Sequence, residues 1–284
     1  MKQIEIPHNA ARKELFAFLK QNKDALILQK KAMPKEGVGF CYDAKLTTPT
    51  AKTAARKDFA SILAPEQGVL AVTAVINTSN WLDTARDCHM PGLWAKSLND
   101  NKMMMHCQEH SMTFDKIIAD GKDLKAYTKN FTWKELGFDY AGKTEALTFD
   151  SMVRKARNPF MYDQYEKGYV KNHSVYMSYV KMVLCINEPD DIDYGAEFEA
   201  YEKYIQEVVN KEAAEELGYF WAILEAKAIE GSAVPMGANV VTPTISVVPK
   251  AEPPQSTPKF RLPDIELPER GYKVGNVQFK KMLQ

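Results

Sequence analysis

The chain has 284 residues, and its 37 Lys and Arg residues are balanced by 37 Asp and Glu residues, so the formal net charge is zero. Hydrophobic residues make up 45% and charged residues 26%, which is typical of a soluble globular protein and unlike a disordered chain. The neutral balance argues against a general nucleic-acid binder, and no apolar run approaches the roughly 18 residues of a membrane span. We therefore expect neither a nucleic acid nor a membrane as partner.

Hydrophobic periodicity predicts the elements of the N-terminal part. Residues 9–22 match a short amphipathic helix, and Asp24–Leu28 matches a strand. Residues 32–66 are rich in Pro, Gly and Thr and are expected to be irregular. Gln67–Ile76 is apolar and β-branched, which is typical of a buried strand.

The middle of the chain alternates short strands with short helical stretches. After Met90-Pro91-Gly92, the patterns predict a helix at 93–99, strands at 103–106, 113–119, 123–130 and 145–150, a helical turn at Trp133–Leu136, and a helix at 158–167.

Three long patterns and one shorter pattern follow. Strands are predicted at Ser174–Ile186, at 219–230 and at 239–248. Residues 194–217 carry apolar residues at spacings near 3.6 and predict one long helix, ended by Gly218. Many strands with few intervening helices predict an α+β fold centred on a β-barrel or antiparallel sheet with surrounding helices.

The composition changes near the C-terminus. Seven of the 15 prolines lie between Pro243 and Pro268, which favours an extended arm that builds no core. We therefore divide the chain into an N-terminal helix, strand and irregular segment (1–66), a central domain (67–248) and a Pro-rich tail (249–284). The tail is either a docking arm or self-cleavage site, or a terminus without a role.

Cysteines and histidines leave a metal site as one alternative. The four cysteines are far apart and form no CxxC pair, and Met1–Glu5 lacks the apolar core of a signal peptide. Reduced, buried thiols in a cytoplasm are therefore expected. Cys88, His106 and His110 are of the right type for zinc, but neither CxxC nor HExxH spacing occurs, so no metal or other cofactor is predicted.

One carboxylate is predicted to be buried. If the strand at 219–230 pairs regularly, one face carries Phe220, Ala222, Leu224, Ala226, Ala228 and Glu230. An inward carboxylate is costly without a partner, and a histidine would supply one. His110 at a strand end and Ser174 at a strand start would complete a nucleophile, base and acid set, although each also fits an ordinary surface or turn residue.

Four stretches of the sequence resemble the prohead (procapsid maturation) serine proteases of tailed bacteriophages, which are distant relatives of the herpesvirus capsid-assembly protease. The resemblance runs from about Gly68 to Thr244. The four stretches are Asn77–Trp94 with Asp83, Asp87, Pro91 and Gly92; Gln108-Glu109-His110 followed by Phe114 and Ile117-Ile118; Gly168 through Lys171–Met177; and Glu225–Pro235, which includes Ile229–Pro235. The order His, Ser, acid is also the family's.

The resemblance implies a serine endopeptidase with a herpesvirus-assemblin-like fold. Ser174 would be the nucleophile, His110 the general base and Glu230 the acid that orients it. Family members act inside the immature capsid, within the bacterial cytoplasm, and cleave scaffolding protein, capsid proteins and often themselves. The resemblance also leaves a homodimer open, since the herpesvirus relatives become active on dimerising.

Two positions depart from the family or remain open. Tyr176 stands where the serine motif usually has Gly, so it would narrow the site, point to the opposite side and line a specificity pocket, or mark an altered activity. Herpesvirus relatives use a second histidine as third triad member, and His106 and His173 are spare histidines here. A catalytically inactive, protease-like scaffold or internal head protein is the main alternative, and a zinc-dependent hydrolase is another.

Overall fold

The structure is a computed structural model that describes residues 4–7, 10–32, 68–100 and 103–249. The predicted irregular segment beyond Ala32 and the predicted tail beyond Pro249 lie outside the described residues. None of the helices in these ranges is both long and apolar enough to cross a membrane.

Nine strands and six α-helices make up the described part of the chain. The strands are β1 (Val69–Thr78), β2 (Asp87–His89), β3 (Met105–Gln108), β4 (Ile117–Asp120), β5 (Leu124–Thr132), β6 (Lys143–Arg154), β7 (Asn172–Ile186), β8 (Tyr219–Val234) and β9 (Thr244–Pro249). The helices are α1 (Arg12–Gln21), α2 (Lys23–Ala32), α3 (Ala95–Asp100), α4 (Pro159–Glu166), α5 (Gly195–Ile205) and α6 (Lys211–Leu217). Short 3-10 helices occupy Gly121–Asp123, Trp133–Leu136 and Ile192–Tyr194.

The strands form two sheets. The first has the order β5-β6-β1-β9 and is antiparallel throughout. In the second sheet, the long strand β8 pairs with β7 in antiparallel fashion along one side. On its other side β8 pairs in parallel with β2 at Trp221–Ile223 and with β3 at Gly231–Ala233, and β4 extends the sheet beyond β3. The prediction of an α+β fold with an antiparallel sheet core is confirmed.

The main core lies between the two sheets. Ile76 and Phe149 of the first sheet share a buried cluster with Trp221 and Ile223 of β8. A Cβ atom added to Gly231 would lie 2.6 Å from Phe149 Cε2 and 2.7 Å from Ile76 Cγ2. The sheets therefore meet without room for a methyl group at Gly231, and this contact fixes the height of β8 over the first sheet.

The predicted strand at Asp24–Leu28 is wrong, because these residues belong to helix α2. A short apolar run does not distinguish a strand from a helix by itself. In the structure, Leu26 is buried, Lys23 forms a salt bridge with Glu197, and Lys30 forms one with Asp87. Positions 23, 26 and 30 share one face of a helix, so the tertiary contacts favour the helical arrangement.

The single helix predicted at 194–217 is divided into α5 and α6. Between them, the amide of Val209 donates to the Asn80 carbonyl at 2.8 Å. The side chain of Asn210 accepts from the Leu82 amide and donates to the Leu82 carbonyl. Between α5 and α6, hydrogen bonds to Asn80 and Leu82 therefore take the place of the hydrogen bonds that a continuous helix would make. Gly218 does end α6 in a left-handed conformation, with φ of 70°.

Strand β8 does not keep the regular alternation that the sequence suggested. Lys181 pairs with Glu225 and Met182 with Ile223, which leaves Leu224 as an extra residue. Tyr176 pairs with Glu230 and Met177 with Ala228, so Ile229 is a second extra residue.

The six residues predicted to share a face therefore separate into two groups. Phe220 and Ala222 pack with α5 and α6, whereas Ala226 and Ala228 lie in the core between the sheets. Glu230 is fully buried, as predicted. It faces away from the core between the sheets, because the bulge at Ile229 places Gly231 on the core side.

Candidate functional site

His110 occupies a tight turn immediately after β3. Glu109 and His110 have φ values of 51° and 56°, and the Ser111 amide donates to the Gln108 carbonyl at 3.0 Å. Two positive φ values in succession are typical of a mirror-image turn, which side-chain-bearing residues rarely adopt. The turn is attached to β8 because the Glu109 amide donates to the Ala233 carbonyl at 3.0 Å.

Glu230 is hydrogen-bonded to the imidazole of His110. Its Oε1 lies 2.5 Å from His110 Nδ1, and its Oε2 accepts from the Ser232 hydroxyl at 2.5 Å. The carboxylate is fully buried, and the side chain of His110 is 9% exposed. Burial and then the nearby Glu230 carboxylate raise the pKa of the Cys107 thiol to about 12, so that thiol stays protonated near neutral pH.

The second imidazole nitrogen of His110 has no hydrogen-bond partner in the described part of the chain. A carboxylate only accepts, so Nδ1 carries the proton of a neutral imidazole and Nε2 is left as an acceptor. Nε2 is buried and makes no hydrogen bond with any residue that the structure describes. Most buried polar atoms in folded proteins are paired, so an unpaired one calls for a specific explanation, and a catalytic role is one such explanation.

Ser174 lies on the same face of the sheet as this pair. Ser174 is directly opposite Ser232, and Tyr176 is directly opposite Glu230, across the β7–β8 ladder. Opposed residues share a face, so all four side chains project to one side. Ser174 is 8% exposed, and its hydroxyl makes no hydrogen bond with a described residue, His110 included.

Tyr176 belongs to the site rather than to the opposite side of the strand. Its ring centroid lies 6.2 Å from that of His110, with the planes tilted by 46°. Of the two orientations that the sequence left open, the structure has the one in which the Tyr176 ring lies on the face that carries His110 and Glu230.

The segment after β8 passes close to the backbone of His173 and Ser174. A Cβ atom added to Gly237 would lie 2.8 Å from the His173 carbonyl oxygen and 3.5 Å from Ser174 Cβ. Only glycine fits so close an approach without displacing backbone. The Asn172 side chain donates to the Pro235 carbonyl and holds the start of this segment.

A buried hydrogen-bond chain lies behind the site, on the inner face of the sheet. The Thr242 carbonyl accepts from His173 Nδ1 at 3.0 Å, so His173 Nε2 accepts from the Tyr165 hydroxyl at 3.0 Å. The tyrosine oxygen then accepts from His106 Nε2 at 3.1 Å, and His106 Nδ1 accepts from the Ser151 hydroxyl at 2.9 Å. Every proton in this chain has one possible place.

Both imidazoles in the chain are neutral. Burial lowers the pKa of His173 to about 4, and burial and the second imidazole lower the pKa of His106 well below its usual range. His173 directly precedes Ser174, and Thr242 Oγ1 accepts from the His173 amide and donates to its carbonyl. The chain therefore anchors the backbone next to the serine, and neither spare histidine is a neighbour of Glu230 in the hydrogen-bond network.

The residues considered for zinc do not converge. Cys88 lies beside Ala222 and His106 beside Gly231 along β8, nine residues apart, which corresponds to about 30 Å at strand geometry. Both nitrogens of His106 are already hydrogen-bonded. No group of three metal-ligating side chains occurs among the described residues.

The candidate site lies on one face of the second sheet, and it is separate from a cleft on another part of the protein. A cleft of about 300 Å³ is lined by Lys96, Ser97, Asp100, Val180, Glu225, Ala226 and Lys227, and it contains none of the three predicted triad residues. Ser232 was not among the site residues predicted from the sequence. The available signal was its spacing of two from Glu230, which places two residues of a strand on one face.

Comparisons with family models, with curated proteins and with solved structures found no match to this chain.

Proposed function

We propose that the chain is a serine endopeptidase in which Ser174 is the nucleophile, His110 the general base and Glu230 the orienting acid. The observation that carries the proposal is the hydrogen bond between Glu230 and His110 Nδ1, which leaves a buried, unpartnered Nε2 on the sheet face that also carries Ser174. A base with an orienting acid on one nitrogen and a free second nitrogen is the arrangement that acyl transfer by serine requires.

The reaction would proceed through an acyl-enzyme. Ser174 Oγ attacks the carbonyl carbon of the scissile bond, and its proton passes to His110 Nε2. The carbonyl electrons move to oxygen, then return as the C–N bond breaks, and the leaving amine takes the proton from Nε2. Water then attacks the carbonyl carbon of the ester and gives a proton to Nε2. The bond to Ser174 Oγ breaks, Ser174 Oγ takes that proton back from Nε2, and the new carboxylic acid is released.

In the described conformation no hydrogen bond joins Ser174 to His110 Nε2, so the proposed mechanism requires the two groups to come together when substrate binds. The amide of Gly237, which lies close to Ser174, makes no hydrogen bond with a described residue and is a candidate donor for the oxyanion.

The biological setting is proposed from the sequence resemblance to the prohead proteases. We propose a herpesvirus-assemblin-like fold, a location inside a procapsid assembled in the bacterial cytoplasm, and scaffolding protein and major capsid protein as substrates. Self-cleavage and a homodimer are part of the same proposal. The order His, Ser, acid and the motif stretches described above support it, and the protein needs no cofactor for this chemistry.

Substitution of the nucleophile tests the proposal. Ser174→Ala is expected to lower cleavage of the cognate scaffolding protein by about 10⁴-fold or more, since no other group can form the ester. Ser178→Ala is the matched control, because it removes a hydroxyl from the same strand at the position opposite Lys227. Labelling of Ser174 by a fluorophosphonate, read by mass spectrometry, is expected in the wild type and in Ser178→Ala, and no label is expected at position 174 in Ser174→Ala.

The same experiment separates the proposal from a protease-like scaffold protein without activity. Unlabelled Ser174 together with intact scaffolding protein would favour the inactive protein. Cleavage that persists in Ser174→Ala would remove Ser174 from the mechanism.

A further inference from the structure

The hydroxyl of Ser232 is central to the candidate site although it reacts with nothing. Ser232 is fully buried on β8, directly opposite Ser174 on β7 and directly opposite Cys107 on β3. It is therefore the β8 residue in register with both the strand of the nucleophile and the strand that leads to His110.

The two hydrogen bonds of this hydroxyl have fixed directions. The His110 amide donates to Ser232 Oγ at 3.0 Å, because a backbone N–H cannot accept. The hydroxyl proton is then donated to Glu230 Oε2 at 2.5 Å. Since Glu230 Oε1 bonds to His110 Nδ1, one closed ring of contacts joins the backbone of His110, Ser232, the carboxylate and the imidazole.

We propose that Ser232 is a positioning residue that sets the aim of His110 Nε2 by holding both the left-handed turn and the Glu230 carboxylate; this inference rests on the proposed function. The turn needs such support, because Glu109 and His110 both have positive φ. The carboxylate needs it too, because a buried oxygen without a donor would rotate to find one. Without the hydroxyl, the imidazole loses two of the contacts that orient it.

A purely structural role makes different predictions. A buried serine that only satisfies backbone would contribute to stability and leave the imidazole unchanged. Ser97 is the matched control, since its buried hydroxyl accepts from the Ala228 amide of the same strand at 2.9 Å and touches neither His110 nor Glu230.

The experiment compares Ser232→Ala, Ser232→Thr and Ser97→Ala in the full chain. The first readout is the downfield proton of the His110 ring Nδ1–H in spectra of protein labelled with ¹⁵N-histidine, assigned by its absence in His110→Gln. The second readout is kcat for scaffold cleavage. Ser232→Ala is expected to shift or lose the ring signal and to lower kcat by about 10²-fold with little change in KM. Ser232→Thr retains the hydroxyl and is expected to restore both.

Two further features keep the outcome decisive. If Ser232→Ala does not fold, Ser232→Cys in reducing buffer keeps the volume and weakens both hydrogen bonds, and the same shift is expected. Ser97→Ala is expected to keep the wild-type ring signal. If Ser232→Ala, or Ser232→Cys in its place, also keeps the wild-type ring signal, the positioning role is overturned. If Ser232→Ala shifts the ring signal but the wild-type protein neither cleaves scaffolding protein nor reacts with fluorophosphonate, the proposed function is rejected and the positioning role stands.

Discussion

His110 holds a backbone conformation that residues with side chains adopt only at a cost. Together with Glu109 it places two successive residues at positive φ, and each costs on the order of 1 kcal/mol or more. The two amides of the turn bond to β8, at the Ala233 carbonyl and the Ser232 hydroxyl. The strain is thus offset by the same strand that carries Glu230, so the turn and the carboxylate are positioned together.

The sequence could indicate His110 and Glu230 as partners but not Ser232. Residue type and the end of an apolar pattern single out a histidine and an acid, because a buried carboxylate needs a partner. The role of Ser232 depends on the register of β8 against both neighbouring strands, and register between distant segments is not visible in local pattern.

His173 predicts a pH dependence of stability. Its pKa is lowered from 6.5 to about 4 by burial, so the unfolded imidazole binds a proton between these values that the folded one does not. Stability therefore rises with pH in this window: it is fully present above about pH 6.5 and falls as the pH drops towards 4. The shift corresponds to about 3 kcal/mol, and His106, whose pKa is also lowered, adds to the fall.

Urea unfolding at pH 7 and at pH 5 measures this effect. His173→Asn keeps a donor for the Thr242 carbonyl and does not titrate, so it is expected to show a smaller loss between the two values. An identical loss in the variant and the wild type would show that His173 does not carry the dependence.

At the scale of elements, β8 organises the molecule through its two bulges. The strand patterns of β1, β7 and β8 were visible in the sequence because long apolar and β-branched runs are rarely anything else. The extra residues Leu224 and Ile229 were not, because a bulge depends on the partner strand. The prediction that Glu230 is buried was correct, while the regular alternation from which it was derived was wrong.

The close contact between Gly231 of β8 and the first sheet predicts that a side chain at this position destabilises the protein. Gly231→Ala would place a methyl group within 2.7 Å of both Phe149 and Ile76, and it is expected to lower the free energy of unfolding by about 1–3 kcal/mol. Cleavage should fall as well, since Glu230 and Ser232 flank this position. Gly195→Ala is the matched control: nothing lies within 4 Å of its added Cβ, so a neutral or slightly stabilising effect is expected. Equal thermal denaturation of both variants would contradict the tight contact.

At the scale of the whole molecule, a zero net charge conceals a marked local asymmetry. Residues 188–216 contain eleven acidic and two basic residues. Helix α2 meets this region through the Lys23–Glu197 salt bridge and meets the sheet through Lys30 and Asp87. The short apolar run in α2 fits a helix or a strand equally well. The partners that favour the helix lie far away in the sequence, so the local pattern led to the wrong prediction of a strand.

The Lys30–Asp87 pair predicts how firmly α2 is attached. Asp87 is fully buried and accepts from Lys30 Nζ at 2.6 Å and from the Tyr179 hydroxyl at 2.8 Å. Lys30→Met removes this ion pair from the buried carboxylate and is expected to cost about 3 kcal/mol of unfolding free energy. Lys96→Met removes an exposed pair with Glu225 and should cost less than about 1 kcal/mol. Equal midpoints in urea unfolding would contradict this view of the Lys30 pair.

The pairing of β8 also has a consequence in time. β2, β3 and β7 all take β8 as their partner, and β8 ends at Val234, whereas β1, β5 and β6 pair among themselves from residues no later than Arg154. During synthesis three strands of the first sheet, β1, β5 and β6, can therefore pair while the second sheet has no central strand, and β9 joins the first sheet only after β8 has been made. His110 leaves the ribosome 120 residues before Glu230, so the histidine has no acid to orient it until nearly all of the described chain has been made.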